Sequence, residues 1–194
     1  MPDDFQPASP YAGRWVARVR GRIVAQGGTP EQALHAAQKS RHKEKLEIIY
    51  MPIPFSHSPL LDKVREALPD QEIYLVGGAV RDMLLNRISH DLDFALPSKG
   101  ISTARNVANA LQDNFMVLDD ERDTGRVIHT DENGTRTFLD FATYRGNNLE
   151  EDLRNRDFTI NAIAFDIHTQ TIFDPLNGAD DLRGKSIRAC SPTS

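Results

Sequence analysis

Asp91 and Asp93 stand one residue apart in "DLDFAL", a run whose other members are apolar. On a β-strand, residues i and i+2 share a face, so both carboxylates project into one place while Leu92 and Phe94 turn toward a core. Two like charges that close resist ionising together. A divalent cation removes the conflict, because Mg²⁺ takes hard oxygen ligands and keeps positions open for substrate phosphates. The plainer alternative is a strand end with two solvated acids. Upstream, Gly77 and Gly78 follow the apolar stretch "EIYLV" and precede a segment in which Ala79/Met83 and Val80/Leu84 repeat at helical spacing. A diglycine there lets backbone approach a ligand, with helix N–H groups aimed at it. Arg81, in the first helical turn, reaches the same phosphate with a charge-assisted bond. A tight strand-to-helix turn is the structural alternative for the glycines. A third acid, Asp140, sits in the apolar run "TFLDFATYR", where an unpartnered carboxylate is costly to bury.

The order strand, Gly-Gly, helix, Asp-x-Asp strand puts a phosphate cradle beside a carboxylate pair. Such a set suits nucleotidyl transfer. One metal ion activates an attacking hydroxyl and a second holds the triphosphate and leaving pyrophosphate, so two Mg²⁺ ions are expected, held by Asp91, Asp93 and Asp140.

The elements that must position these residues follow from periodicity and turn chemistry. "RWVARVR" and "RIVAQ" read as a hairpin turning at Gly21. A helix then starts with Thr29 as N-cap, Pro30 in its first position and Gln32 completing a capping box. "KLEIIYM" reads as a returning strand. After three prolines in "MPIPFSHSP" come the helix "LLDKVREAL", the site strands, and the helix "ISTARNVANALQ". "FMVLD", "GRVIHT" and "RTFLDFATY" are further strands, the last two joined through "DENG". Asn148 caps a short helix in "NNLEEDLRNR", and "AIAFDI" with "TIFD" closes a last hairpin. His129 and His168 fall in predicted strands without a partner at ligand spacing. The expected class is α+β, a mixed-sheet α/β arrangement, because strands and helices mix without strict alternation. The expected divisions are a tail at 1–13, a ββαβ unit at 14–51, a linker at 52–59 and the larger domain at 60–194.

Composition narrows the function classes. Of 194 residues, 39% are hydrophobic and 26% charged, which excludes wholesale disorder. No apolar run approaches the roughly 20 residues of a membrane helix, and the start "MPDDFQPASP" lacks the regions of a signal peptide. With a single cysteine, Cys190, no intrachain disulfide forms. A cytoplasmic protein with no membrane partner is expected. The net charge of −5 is uneven: residues 1–50 carry 8 basic against 5 acidic residues, and 51–194 carry 15 against 23. So acidic a main domain does not bind phosphate backbones by bulk charge; metal must offset its carboxylates locally.

"LVGGAVRDMLL…DLDFAL" resembles the signature of the class II tRNA nucleotidyltransferases (CCA-adding enzymes) and bacterial poly(A) polymerases, of the polymerase-β-like superfamily. "LEEDLRNRDFTINAIAFD" resembles the second motif of that family, and "DPLNGADDLRGKSIRACSPTS" the stretch after it. The resemblance covers roughly residues 58–194 and implies a nucleotidyltransferase head domain behind the ββαβ unit. It implies Asp91 and Asp93 as ligands of the catalytic Mg²⁺ ions and Asp140 as the carboxylate that deprotonates or orients the primer 3′-hydroxyl. Gly78, with Gly77 beside it, and Arg81 would contact the nucleotide triphosphate, and Arg156 would lie near the nucleotide. Asp157 and Asn161 would brace the sugar and local backbone, and Asp82 the glycine turn. The family often has a second arginine where Asn155 stands. In relatives a Glu-Asp-x-x-Arg neck motif reads the incoming base; "EEDLRNR" precedes "RDFT" and has other spacing. A head without neck, body and tail is therefore expected. The implied partners are ATP or CTP and a tRNA or other RNA 3′ end, with CCA addition as first reading. The alternatives are a poly(A) polymerase head and a non-catalytic nucleotide- or RNA-binding module. The oligomeric state is open.

Overall fold

The computed structural model describes residues 11, 13–39, 45–51, 59–85 and 87–191. The chain divides into two units, Met1–Ser56 and His57–Ser194. Apart from Tyr11, Gly13 and Pro59, the expected tail and linker lie outside the described residues.

In the first unit, β1 (Arg14–Val19) pairs antiparallel with β2 (Arg22–Gly27) and β3 (Glu47–Met51), giving the order β2-β1-β3. Arg20 and Gly21 both take positive φ, 48° and 77°, as a two-residue hairpin turn demands. Helix α1 (Pro30–Gln38) is capped by Thr29, whose hydroxyl accepts the Gln32 amide. The Gln32 side chain reaches back one residue further than expected, to the Gly28 amide. Ala33 and Ala37 bury this helix against the sheet.

The second unit is a seven-stranded mixed sheet. Its elements run α2 (Pro59–Ala67), β4 (Tyr74–Val76), α3 (Gly78–Leu84), β5 (Asp91–Leu96), α4 (Gly100–Leu111), β6 (Asn114–Asp119), β7 (Thr124–Thr130), β8 (Arg136–Thr143), α5 (Leu149–Arg154), β9 (Ala164–Asp166), β10 (Thr171–Phe173) and α6 (Gly178–Arg183). The order is β10-β9-β4-β5-β8-β7-β6, with β5 and β8 parallel and the other pairs antiparallel. The mixed α/β class read from the sequence is the class observed. Helix α2 begins at Pro59, inside the expected linker, because proline is accepted in a first helical turn. His168 lies past the end of β9, in the turn to β10, where it bonds the Gln71 carbonyl at 2.9 Å; His129, on β7, bonds Asp113 at 2.7 Å.

One face of this sheet is closed. Phe94 of β5 and Phe141 of β8 are buried and stacked, centroids 4.7 Å apart, and Leu92, Leu139 and Val127 share their face by register. Helix α4 covers it with Ala104, Val107 and Ala108. It comes so close that a Cβ on Gly125 would lie 2.7 Å from that of Ala104. The start of α4 is held from a distance. The Asp123 carboxylate accepts the Gly100 and Ile101 amides and the Thr143 hydroxyl, at 2.8, 3.0 and 2.7 Å. Across the sheet, α5 lays Leu149 and Leu153 over Val76, Ala95 and Ala164. Ala95 shares a face with Asp91 and Asp93, so α5 covers one end of the face that carries the carboxylates. Asn148 caps α5, as expected, by accepting the Glu151 amide.

Candidate active site

The two aspartates of β5 lie where alternation puts them. Asp91 and Asp93 are exposed, while Leu92 and Phe94 are buried. Asp93 pairs in register with Asp140 on parallel β8, which brings the third carboxylate to the same face. Although Asp93 keeps contact with solvent, the partial loss of solvent around it raises its carboxyl above the ordinary value. The Asp140 and Asp91 charges push it further up, and Arg156 and Arg126 pull it back.

The glycine turn closes on this cluster. Gly77 has φ 72° and ψ −143°, a conformation that side chains rarely adopt. A Cβ there would stand 3.2 Å from Asp93 Oδ2 and 3.4 Å from an Arg156 nitrogen. Gly77 thus gives the backbone its close approach to the acids. Arg81, one turn into α3, is held on two sides: its Nε donates to Asp82 at 3.0 Å and its Nη1 to Asn161 Oδ1 at 2.8 Å. Asn161 in turn donates to Asp157 at 3.3 Å, and Asp157 accepts the Phe158 amide at 2.7 Å. Asp82 therefore braces Arg81. Arg81, Asn161 and Asp157 form one hydrogen-bonded chain that ties α3 to the 3-10 turn Thr159–Asn161, and the Arg81 amide bonds back to the Gly77 carbonyl, with Gly78 next to it in the turn.

Arg156 is oriented by Asp152, which is 2% exposed and was not singled out from the sequence. Its Oδ2 accepts two bonds from Arg156, at 3.1 and 2.9 Å, and its Oδ1 accepts the Arg145 amide. The i, i+4 spacing of the pair did not mark it out, since Glu150 and Arg154 share that spacing and pair as well. Asn155, which stands where the family often has arginine, donates to the Arg145 carbonyl at 2.8 Å and so fixes the same loop. A cavity of about 740 Å³ opens over these groups. Asp93, Asp140, Arg145, Arg156 and, from the β6–β7 turn, Arg122 lie along it. Asp119, Glu121, Asp123 and Asp152 line it as well, so acids outnumber its three arginines, while Gly77, Gly78, Arg81, Asp91, Asp157 and Asn161 lie outside its lining. Guanidinium groups among so many carboxylates suit a polyanion only if it arrives with its own cations.

A second residue that sequence reading passed over is Arg126. It lies on β7 directly opposite Asp140 and donates to both of its oxygens, each at 2.6 Å. Its own proton is held more tightly than usual, first by that bond, against partial burial. Asp91 and Asp93 fit a hard cation, being exposed oxygen donors on one face. Asp140, as arranged, offers its oxygens to Arg126. Among the described residues no three of His, Cys, Asp and Glu are grouped to hold a metal ion, so the expected set of Asp91, Asp93 and Asp140 is not assembled as a three-ligand site in this arrangement.

A family model for the poly A polymerase head domain matches residues 73–188. That span exceeds half of the chain and includes every residue of the site. The chain belongs to the poly A polymerase head domain family. The unit that precedes the head is matched separately, residues 6–54 by a family of unknown function (DUF5678). A CC-adding tRNA nucleotidyltransferase of Synechocystis is 44% identical over 124 residues, 63% of this chain and 29% of that protein. A CCA-adding enzyme of Streptococcus uberis is 36% identical over 155 residues, 74% of this chain and 37% of that protein. Among solved structures, a tRNA nucleotidyltransferase complexed with a primer tRNA and an incoming ATP analog aligns with a TM-score of 0.58 and 32% identity, covering 69% of this chain and 40% of that one. The chain thus spans about a third of the length of the curated relatives it matches. No helix among the described residues is long and apolar enough to cross a membrane.

Proposed function

We propose that the head unit is the catalytic module of a tRNA nucleotidyltransferase. In the reaction the 3′-hydroxyl of an RNA attacks the α-phosphate of CTP or ATP. A bond forms from the 3′-oxygen to that phosphorus, the bond to the β-phosphate oxygen breaks, the hydroxyl proton leaves, and pyrophosphate departs. The observation that carries this reading is the register of Asp93 with Asp140 at a cavity that Arg122, Arg145 and Arg156 also line; Asp91 shares their strand face but lies outside that lining. The names of the curated relatives support tRNA as primer and CC or CCA as the added sequence.

The residues of this chain supply position and charge. Asp91 and Asp93 would hold Mg²⁺, and the two-ion arrangement expected from the sequence adds Asp140 as a third ligand. When bound, Mg²⁺ offsets triphosphate charge and lowers the pKa of a coordinated hydroxyl. Arg156, fixed by Asp152, faces the nucleotide, and Arg81, fixed by Asp82 and Asn161, faces its phosphates past Gly77 and Gly78. Asp140, whose oxygens now accept from Arg126, would orient the attacking hydroxyl beside Asp93. The protein then contributes alignment and fixed charge, with no nucleophile of its own.

Calorimetric titration of CTP and ATP, with and without Mg²⁺, tests this. The wild-type chain is expected to bind both only with Mg²⁺, and Asp91→Ala/Asp93→Ala to bind neither. A folded wild type that binds neither nucleotide would defeat the reading.

A further inference from the structure

Arg126 has no part in the steps described above, yet it makes the closest ion pair of the site. Nε meets Oδ1 of Asp140 and Nη2 meets Oδ2, at 2.6 Å each. This is the fork-on-fork geometry in which a guanidinium binds a carboxylate most tightly. The arginine is itself seated, its Cζ 5.0 Å from the centroid of the Phe138 ring, with 29% of its side chain exposed. Two consequences follow. A divalent ion ligated by Asp140 would sit next to a fixed positive charge and compete with it for the same oxygens. Without an ion, Arg126 is bonded to Asp140, whose charge and that of Asp91 repel Asp93, while Arg156 offsets the Asp93 charge from the other side.

We propose that Arg126 is the built-in counter-cation of the carboxylate cluster: it fastens Asp140 while the site holds no metal, and it must let go before Asp140 can become a ligand. This rests on the reading of Asp91, Asp93 and Asp140 as the metal-holding residues. Arg126 is thus a positioning residue, and its effects with and without metal have opposite signs. Removing the guanidinium strengthens metal binding and weakens the metal-free fold.

The test uses Mn²⁺, whose free ion is read by electron paramagnetic resonance, on the full chain. Arg126→Met keeps an apolar stem on Phe138 and removes the fork. It is expected to bind Mn²⁺ about tenfold more tightly than wild type, the size of one charge-assisted hydrogen-bonded pair, and to melt at a lower temperature in EDTA. Arg126→Lys keeps the charge but cannot hold both oxygens, so it is expected to fall between the two; it carries the test if the methionine variant does not fold. In an Asp140→Asn background the Arg126→Met gain should vanish, because no carboxylate is left to release. Equal Mn²⁺ affinity in wild type and Arg126→Met would overturn the proposal. So would a gain that persists undiminished with Asp140→Asn, which would reduce the effect to bulk charge. Absence of Mn²⁺ binding from every one of these proteins would defeat the metal reading itself, and this proposal with it.

Discussion

The two faces of the head-unit sheet are built from the same strands and do opposite work. On β5, Leu92 and Phe94 turn one way and Asp91 and Asp93 the other; on β8, Leu139 and Phe141 turn one way and Asp140 the other. The first set is closed under α4, with Gly125 letting helix and strand approach. The second set is only partly covered, by α5, and its charges are balanced by arginines instead of being excluded. Packing on the closed face sets stability. On the open face a row of acids is held at some cost to stability, ready for charged ligands. Perturbations of the two faces should therefore differ in size, in sign and in their response to metal.

The largest effect belongs to the closed face. Phe94 is 1% exposed and stacked on Phe141, so Phe94→Ala removes a ring from a site with little freedom to collapse. It is expected to cost about 3–5 kcal/mol, a large part of the 5–15 kcal/mol typical of a domain. Urea unfolding measures it. The magnitude should be the same with and without Mg²⁺, since no carboxylate moves. A loss below about 1 kcal/mol would mean that the closed face is not the source of stability.

The second effect concerns the staple at the edge of that face. Partial burial alone would raise the Asp123 carboxyl, but the Ile101 amide, the Thr143 hydroxyl and the Gly100 amide outweigh it and hold the carboxyl below its usual value. A depressed carboxylate contributes stability above its unfolded value, near 4, and loses it as pH falls through the lower folded value. Asp123→Asn should therefore cost about 1 kcal/mol at pH 7. The gap between variant and wild type should close as the pH drops below about 4. A gap independent of pH would assign the loss to shape alone.

Much of the contrast between the faces was legible in the residues. Alternation in "DLDFAL" gave the two-sided strand, and Asn148 and Thr29 marked helix starts through their side-chain oxygens. Asp140 was expected from a strand adjacent to the aspartate pair; what escaped was the direction and register of pairing between distant segments. The parallel match of Asp93 with Asp140 depends on how β8 runs beside β5, and no local pattern encodes that. Arg126 was within reach. The "DENG" turn fixes a hairpin in which Thr130 faces Arg136, and counting back along both strands puts Arg126 opposite Asp140. Asp123 offered no such route, because it caps a helix whose first residue lies 23 positions earlier in the chain. Asp152 was hidden by its setting, an acid in the acid-rich run "EEDLRNR", where burial alone sets it apart from Glu150 and Glu151.

The smallest effect is the one that separates the faces most cleanly, because its sign is reversed. A carboxyl whose folded value lies above its unfolded one subtracts stability at every pH above the unfolded value. Asp93 is such a group, raised first by desolvation and then by Asp140, with Arg156 only partly offsetting them. In EDTA at pH 7, Asp93→Asn keeps the shape and removes one charge from the cluster. It is expected to raise the melting temperature only slightly, because Asp93 is exposed and solvent screens the repulsion. Added Mg²⁺ should then stabilise the wild type and leave the variant nearly unmoved, so that the order of the two proteins inverts. A variant less stable than wild type in EDTA would show that the Asp93 charge is needed for folding even without metal. The open face would then be held by its ion pairs in the way the closed face is held by its rings.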